Sequence, residues 1–323
     1  MHVDQIGWIA TSSLGLFGVL LFFVHTSLVL TQSMERGGLS GWPFFRDFYI
    51  RRFFRIYPLA IVAVVAALVL RLDSDVNGVA GLSHAISPPG KLTIVSHLLL
   101  IQNLFHIKSI VNVLWSLPFE VEMYVLLPML FVFICSRRRV RLLLALWLVS
   151  LGLAVVQPHV ALFSRLSILV FAPNFLAGLI AFVVPRIRRF NALFWPVVIL
   201  GSALVFTIKP MRYTGWILCL LLGFLIPQFN ELNSPWLRMF SNRIATYSYG
   251  IYLSHQFSIW FTFDILRWQP AYVKVPILAA LLILLPVVLY HCIEKPLIGV
   301  GVRLATAVNQ EPAFERHAVA AAA

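Results

Sequence analysis

The chain has 323 residues, 60% of them hydrophobic and only 11% charged. Soluble domains carry about a quarter charged residues, so this composition excludes a soluble fold and points to one membrane domain. The net charge of +13 does not imply a nucleic-acid partner: the Arg and Lys residues lie in short clusters between apolar runs, the pattern that orients membrane proteins.

The first residues, Met1 to Gln5, hold Asp4 and no Lys or Arg. They lack the basic region of a signal peptide, and the apolar run that follows is too long for one. A bilayer core of about 30 Å takes about 20 apolar residues per helix. In chain order, the candidate spans are Trp8–Leu30, Ile56–Leu70, Val111–Cys135, Leu142–Val156, Leu166–Val184, Leu193–Ile208, Trp216–Phe229, Ile244–Phe263 and Val275–Ile293. Leu92–Phe105 is apolar but short, and it carries His97, Gln102 and Asn103. That length suits a re-entrant or interfacial helix. The expected architecture is therefore all-α and polytopic, with about nine transmembrane helices and one short extra helix. The domain covers residues 1–308. The tail 309–323, polar and then Ala-rich, is expected to be disordered.

Charge placement decides the topology. With the N-terminus outside and Leu92–Phe105 not crossing, seventeen of the 25 Lys and Arg residues fall in cytoplasmic loops. If that segment crossed, the clusters at Arg137, Arg138, Arg139 and Arg141 and at Arg186, Arg188 and Arg189 would face out, against the positive-inside rule. The C-terminus is then cytoplasmic.

Several chemistries have no support. Cys135, Cys219 and Cys292 show neither metal-ligand spacing nor a disulfide framework. There is no phosphate-cradling Gly loop, no dinucleotide fingerprint and no HExxH. No internal repeat suggests an inverted-repeat transporter. No metal and no permanently bound cofactor is expected.

Charged side chains within spans are costly and carry a functional hypothesis. Counting about 1.5 Å per residue, Glu120 lies roughly 13 Å from the outer end of its helix. His255 lies roughly 16 Å from the cytoplasmic end of its own. Both fall near the midplane, as a buried acid/base pair or as a polar lock between helices. Tyr124, four residues after Glu120, shares its face, whereas Glu122 points away. At the cytoplasmic edge stand Arg51, Arg52 and Arg55, with His25 about 25 Å into the first span. Arg52 and Arg55 are three apart, on one helix face, and suit a phosphate. His291, Glu294 and Lys295 close the last span. His97 is either a cavity-lining or a structural residue.

These residues fall into a known order. Arg51-Arg52-Phe53-Phe54-Arg55-Ile56-Tyr57-Pro58 resembles the RRxxRIxP element of the membrane acyltransferase 3 family. Val113-Leu114-Trp115-Ser116-Leu117-Pro118-Phe119-Glu120, with Tyr124 and Pro128, resembles its WSLxxE helix. Tyr247-Ser248-Tyr249-Gly250-Ile251-Tyr252-Leu253-Ser254-His255 resembles its SYxxYLxH element, and Tyr290 to Pro296 its closing YxxIEKP, with Glu294 and Pro296 as structural motif residues. Leu16 to Leu30 is similar to its second helix.

The resemblance implies a coenzyme A-dependent O-acyltransferase of a bacterial inner membrane. It would move an acyl group, commonly acetyl, from cytoplasmic acyl-coenzyme A to a hydroxyl of an extracytoplasmic carbohydrate or glycan. Its partners would be membrane lipid, the donor and the acceptor. On this reading Glu120 and His255 are catalytic, and Arg51, Arg52, Arg55 and His25 bind the donor. Trp115, Tyr124, Tyr252 and His97 bind substrate. The family's first helix carries an Arg and a His thought to be the base. The sequence begins after that point, so the expectation is either a start that lies upstream of Met1 or a shortened, impaired relative lacking that helix. The rival readings are a transporter or flippase of a lipid-linked sugar, and a non-catalytic membrane scaffold.

Overall fold

The computed structural model describes residues 2–73, 83–84, 88–135, 137, 139–160, 163, 166–231 and 234–322, with side chains from 12 to 309 apart from 73, 83, 84 and 135. Arg138 and Arg165, two charges used to set the orientation, lie outside them. The chain divides into two compact units: Met1–Gly38 with Phe119–Pro235, and Leu39–Pro118 with Trp236–Ala323.

The first unit holds α1 (His2–Gly37), α4 (Leu117–Leu130, from Phe119 on), α5 (Val140–Val156), α6 (Ile168–Val183), α7 (Trp195–Ile208) and α8 (Arg212–Leu225). Its centre is α6, buried from Pro173 to Val183. A helix apolar all round has to be surrounded, and α1, α5 and α8 pack against it. Gly178 lets α1 approach closely: a Cβ there would sit 2.0 Å from Ser27 Oγ and 2.1 Å from the Val24 carbonyl oxygen. Ser27 Oγ donates to the Phe175 carbonyl at 2.7 Å, and Phe23 stacks on Phe175 at 4.3 Å. Trp147 and Trp216 donate their indole N–H groups to the carbonyls of Pro173 and Val170. The loop bearing Arg186, Arg188 and Arg189 is fastened by Gln228. Its side-chain oxygen accepts from the amides of Ile187 and Arg188, and its nitrogen donates to the Pro185 carbonyl.

The second unit holds α2 (Gly41–Val69), α3 (Lys91–Leu98), α9 (Pro235–Trp260, from Trp236 on), α10 (Ala271–Leu289) and α11 (Lys295–Ala322). A two-residue strand pair, Leu72–Asp73 with Ser83–His84, follows α2. Two short 3-10 turns, Gln102–Phe105 and Asn112–Trp115, lead into α4. Gly301 of α11 meets Phe54 of α2, where a Cβ would lie 2.7 Å from the Phe54 Cβ.

Among the described residues, five segments are long and apolar enough to cross a membrane: Ser12–Gly37, Gly41–Val69, Asn112–Ile134, Val140–His159 and Ala271–Asn309. Ile168–Val183 and Ala192–Ile208 are apolar but shorter. Their outward faces carry exposed Leu148, Val149, Leu200 and Ile283, as lipid contact requires and water does not favour. The protein is an all-α membrane protein. Among the described residues, length and apolarity alone give fewer than nine crossings. Trp216–Phe229 falls on a 14-residue helix and a 3-10 turn, and Ile244–Phe263 runs from α9 into the π turn Phe261–Ile265, the first half of α9 carrying Arg238, Asn242 and Arg243.

The Leu92–Phe105 stretch is not one helix. Its α-helical part belongs to the eight-residue helix Lys91–Leu98, about 12 Å long, and the chain then turns at Leu100, whose φ is 55°. At the other end, α11 runs from Lys295 to Ala322.

Candidate active site

In the second unit, α2 presents the arginines. Arg51 Nε bonds Asp47 Oδ2 one turn back, at 2.8 Å. Arg55 Nη1 bonds Glu294 Oε2 at 2.6 Å, and Glu294 is 1% exposed against 27% for Arg55. The Arg55 guanidinium also lies over the Tyr249 ring, 5.6 Å from its centroid. The Tyr249 hydroxyl in turn donates to the Ile56 carbonyl at 2.7 Å. Arg52 is half-buried on the same helix. The sequence suggested a phosphate for Arg52 and Arg55 and donor binding for all three arginines; the structure brings Arg51 and Arg55 to carboxylates.

Glu294 closes a π turn, Tyr290–Glu294, between α10 and α11. Pro296 has no N–H, so the carbonyl four residues earlier lacks its α-helical donor. A widened turn there is a common response, and π turns gather at functional sites. Gly250 makes room for this carboxylate: a Cβ would be 3.2 Å from Glu294 Oε1 and 3.3 Å from Pro286.

About 9 Å further along α9 from Tyr249 comes His255. Its Nδ1 is 2.8 Å from the Tyr252 carbonyl oxygen, so Nδ1 carries the proton and donates it. Its Nε2 has no hydrogen-bond partner among the described residues. The Tyr252 hydroxyl donates to the Val113 carbonyl at 2.7 Å. Having one proton, it must accept from Ser116 Oγ, also at 2.7 Å. Gln256 Oε1 accepts from the Val113 amide, and Gln102 Nε2 donates to the Leu114 carbonyl. Three buried or half-buried side chains thus clamp the Asn112–Trp115 turn, which ends at half-buried Trp115.

His97 is fully buried, with Nδ1 on the Thr93 carbonyl at 2.7 Å and Nε2 accepting from the Ile110 amide at 3.0 Å. Both nitrogens are engaged by backbone, as in the structural alternative read from the sequence, and the ring ties α3 to the segment before the clamp.

In the first unit, Glu120 is 4% exposed and accepts a short hydrogen bond from the Tyr124 hydroxyl. The i,i+4 face sharing read from the sequence is present. Glu120 and His255 belong to different units, so the pairing expected from their depths has no counterpart within either one. His25 lies on an exposed face of α1, also in the first unit, whereas the arginines of the expected donor site belong to the second.

Residues 2–291 match a family model described as an acyltransferase domain, that of the acyltransferase 3 family. The chain belongs to this family. No curated protein and no solved structure matches it. Three of the four quoted motifs fall inside the match, and the fourth, Tyr290 to Pro296, straddles its end, with Glu294 and Pro296 beyond it. The protein is accordingly a membrane acyltransferase.

Sequence reading of this acyltransferase missed the clamp. Gln256 directly follows the last quoted residue of SYxxYLxH, and Ser116 lies inside WSLxxE. Polar side chains in apolar runs were the available signal. The same signal marks Asn174, wholly buried in α6. Its Nδ2 donates to Cys219 Sγ at 3.2 Å, and its Oδ1 has no partner among the described residues. Asn174 lines a cavity of about 70 Å³ with Leu16, Leu20, Phe171, Phe206 and Trp216, and Arg212 at its rim.

Proposed function

We propose that this membrane acyltransferase moves an acyl group, most simply acetyl, from cytoplasmic acyl-coenzyme A to a hydroxyl of an extracytoplasmic carbohydrate or glycan. It does so in a bacterial inner membrane, with nine crossings, the N-terminus outside and the C-terminus cytoplasmic. The acceptor oxygen attacks the thioester carbonyl while a base takes its proton. The tetrahedral oxyanion then collapses, the ester forms, and coenzyme A leaves as the thiol once the proton is returned to sulfur.

The observation that carries this reading is the His255 ring. The Tyr252 carbonyl holds its Nδ1–H, which fixes the tautomer and leaves the Nε2 lone pair without a partner among the described residues. A general base needs that arrangement. Glu120, held by Tyr124, accepts from acceptor hydroxyls. Trp115 and Tyr252 offer aromatic surface to a sugar ring. Arg52 and Arg55, on the cytoplasmic side in this topology, take the donor's phosphates.

The test is turnover. The purified chain in nanodiscs receives labelled acetyl-coenzyme A and a panel of glycans, and label in glycan is measured. Transfer that vanishes in His255→Ala, with coenzyme A binding kept, is the expected result. Transfer undiminished in that variant would remove His255 as the base.

A further inference from the structure

Arg55 has five N–H donors in a rigid plane. One is spent on Glu294 through Nη1. Its Nε and Nη2 carry no hydrogen bond among the described residues, and the side chain is 27% exposed. The free edge is the one that pairs bidentately with a phosphate.

What holds the plane is unusual for a flexible side chain. Glu294 is buried, set in the π turn and backed by Gly250. Tyr249, pinned to the Ile56 carbonyl, lies under the guanidinium. A buried pair of this kind is weak evidence for stability, because desolvation offsets most of the attraction. The second carboxylate oxygen, Oε1, is buried and without a partner among the described residues, so stability alone does not account for Glu294.

We infer that Glu294 is a positioning residue for donor binding: it fixes Arg55 through Nη1 so that the Nε–Nη2 edge meets a phosphate of acyl-coenzyme A. This rests on the donor reading above. The opposite relation is a carboxylate that competes with the phosphate for Arg55, and the two predict opposite signs.

The experiment uses the full chain in nanodiscs with coenzyme A as the probe. Affinity is followed by calorimetry, KM for acetyl-coenzyme A and kcat by transfer, and folding by thermal unfolding. A hydrogen bond to a charged group contributes about 1.5–3 kcal/mol, so loss of orientation should weaken binding about tenfold or more in Glu294→Ala. KM should rise and kcat hold. Glu294→Gln retains an acceptor oxygen and should weaken binding by less than about threefold, while Glu294→Asp, one methylene shorter, draws Arg55 back and should weaken it about as much as Ala. Arg55→Ala combined with Glu294→Ala should be no worse than Arg55→Ala alone. If Glu294→Ala does not fold, the Gln against Asp contrast decides. Tighter or unchanged binding in Glu294→Ala or Glu294→Asp would overturn the positioning role and leave the donor reading standing. A parent chain that does not bind coenzyme A overturns both.

Discussion

Gly178→Ala in α6 should unfold the first unit at markedly lower temperature. The added methyl would lie 2.0 Å from Ser27 Oγ, 2.1 Å from the Val24 carbonyl oxygen and 3.0 Å from the Leu28 amide. Ordinary carbon–oxygen contacts are well above 3 Å, so α1 and α6 must part by about 1 Å or more. That movement breaks the hydrogen bond from Ser27 to Phe175, about 0.5–1.5 kcal/mol. It also loosens the Phe23–Phe175 stack and adds about 1–3 kcal/mol of overpacking. The total is about 2–4 kcal/mol, a large share of a marginal stability. Thermal unfolding in detergent, followed by tryptophan fluorescence through Trp147 and Trp216, is the assay. Ser27→Ala in the same chain removes only one of the two clashes, so it should not restore the parent transition. Gly178→Ala melting with the parent would refute the close crossing. Rescue by Ser27→Ala would refute the backbone contact as its main part.

Other substitutions probe the sites. His97→Phe keeps an aromatic ring but strands the Ile110 amide, so stability should fall by about 1–3 kcal/mol, measured by denaturant or heat. Asn174→Leu removes the unpartnered oxygen and fills space beside it; the melting temperature should rise or hold, and a fall would mean that the Asn174 amide is satisfied. Tyr252→Phe removes the hydroxyl that joins Val113 and Ser116, and transfer should drop at least tenfold with coenzyme A affinity unchanged. If the chain were instead a transporter of a lipid-linked sugar, transbilayer movement would survive Arg52→Ala and Arg55→Ala. An acyltransferase should lose transfer in both.

The fold was legible where apolar length speaks. Ser12–Gly37 and Gly41–Val69 overlap the expected Trp8–Leu30 and Ile56–Leu70, and Val140–His159 contains the expected Leu142–Val156. It was less legible where helices are short or irregular. Span counting presumes unbroken helices, and it cannot foresee a turn at Leu100 or π turns at Phe261–Ile265 and Tyr290–Glu294. The Glu120–Tyr124 contact was legible because i,i+4 neighbours on a helix must meet. The Arg55–Glu294 pair was not: 239 residues separate the partners, and no local period links them. Each had been read alone, one as a phosphate ligand and one as motif.

That separation explains why the two motifs are informative together and weak apart. RRxxRIxP puts a cation on α2, and nothing in its spacing says which of three arginines is restrained. YxxIEKP puts a carboxylate after a π turn, and Pro296 is what makes a regular helix unfavourable there. Without the widened turn, Glu294 would take a different angle on the helix, about 100° per residue, and would not face Arg55. Pro296→Ala should therefore act at a distance. A regular helix through Tyr290–Glu294 would turn the carboxylate away from Arg55 and weaken coenzyme A binding as Glu294→Ala does, with little loss of stability. Pro296→Ala with parent affinity would mean that the space beside Gly250 and the ion pair with Arg55 alone aim Glu294, and that the proline is incidental to the site.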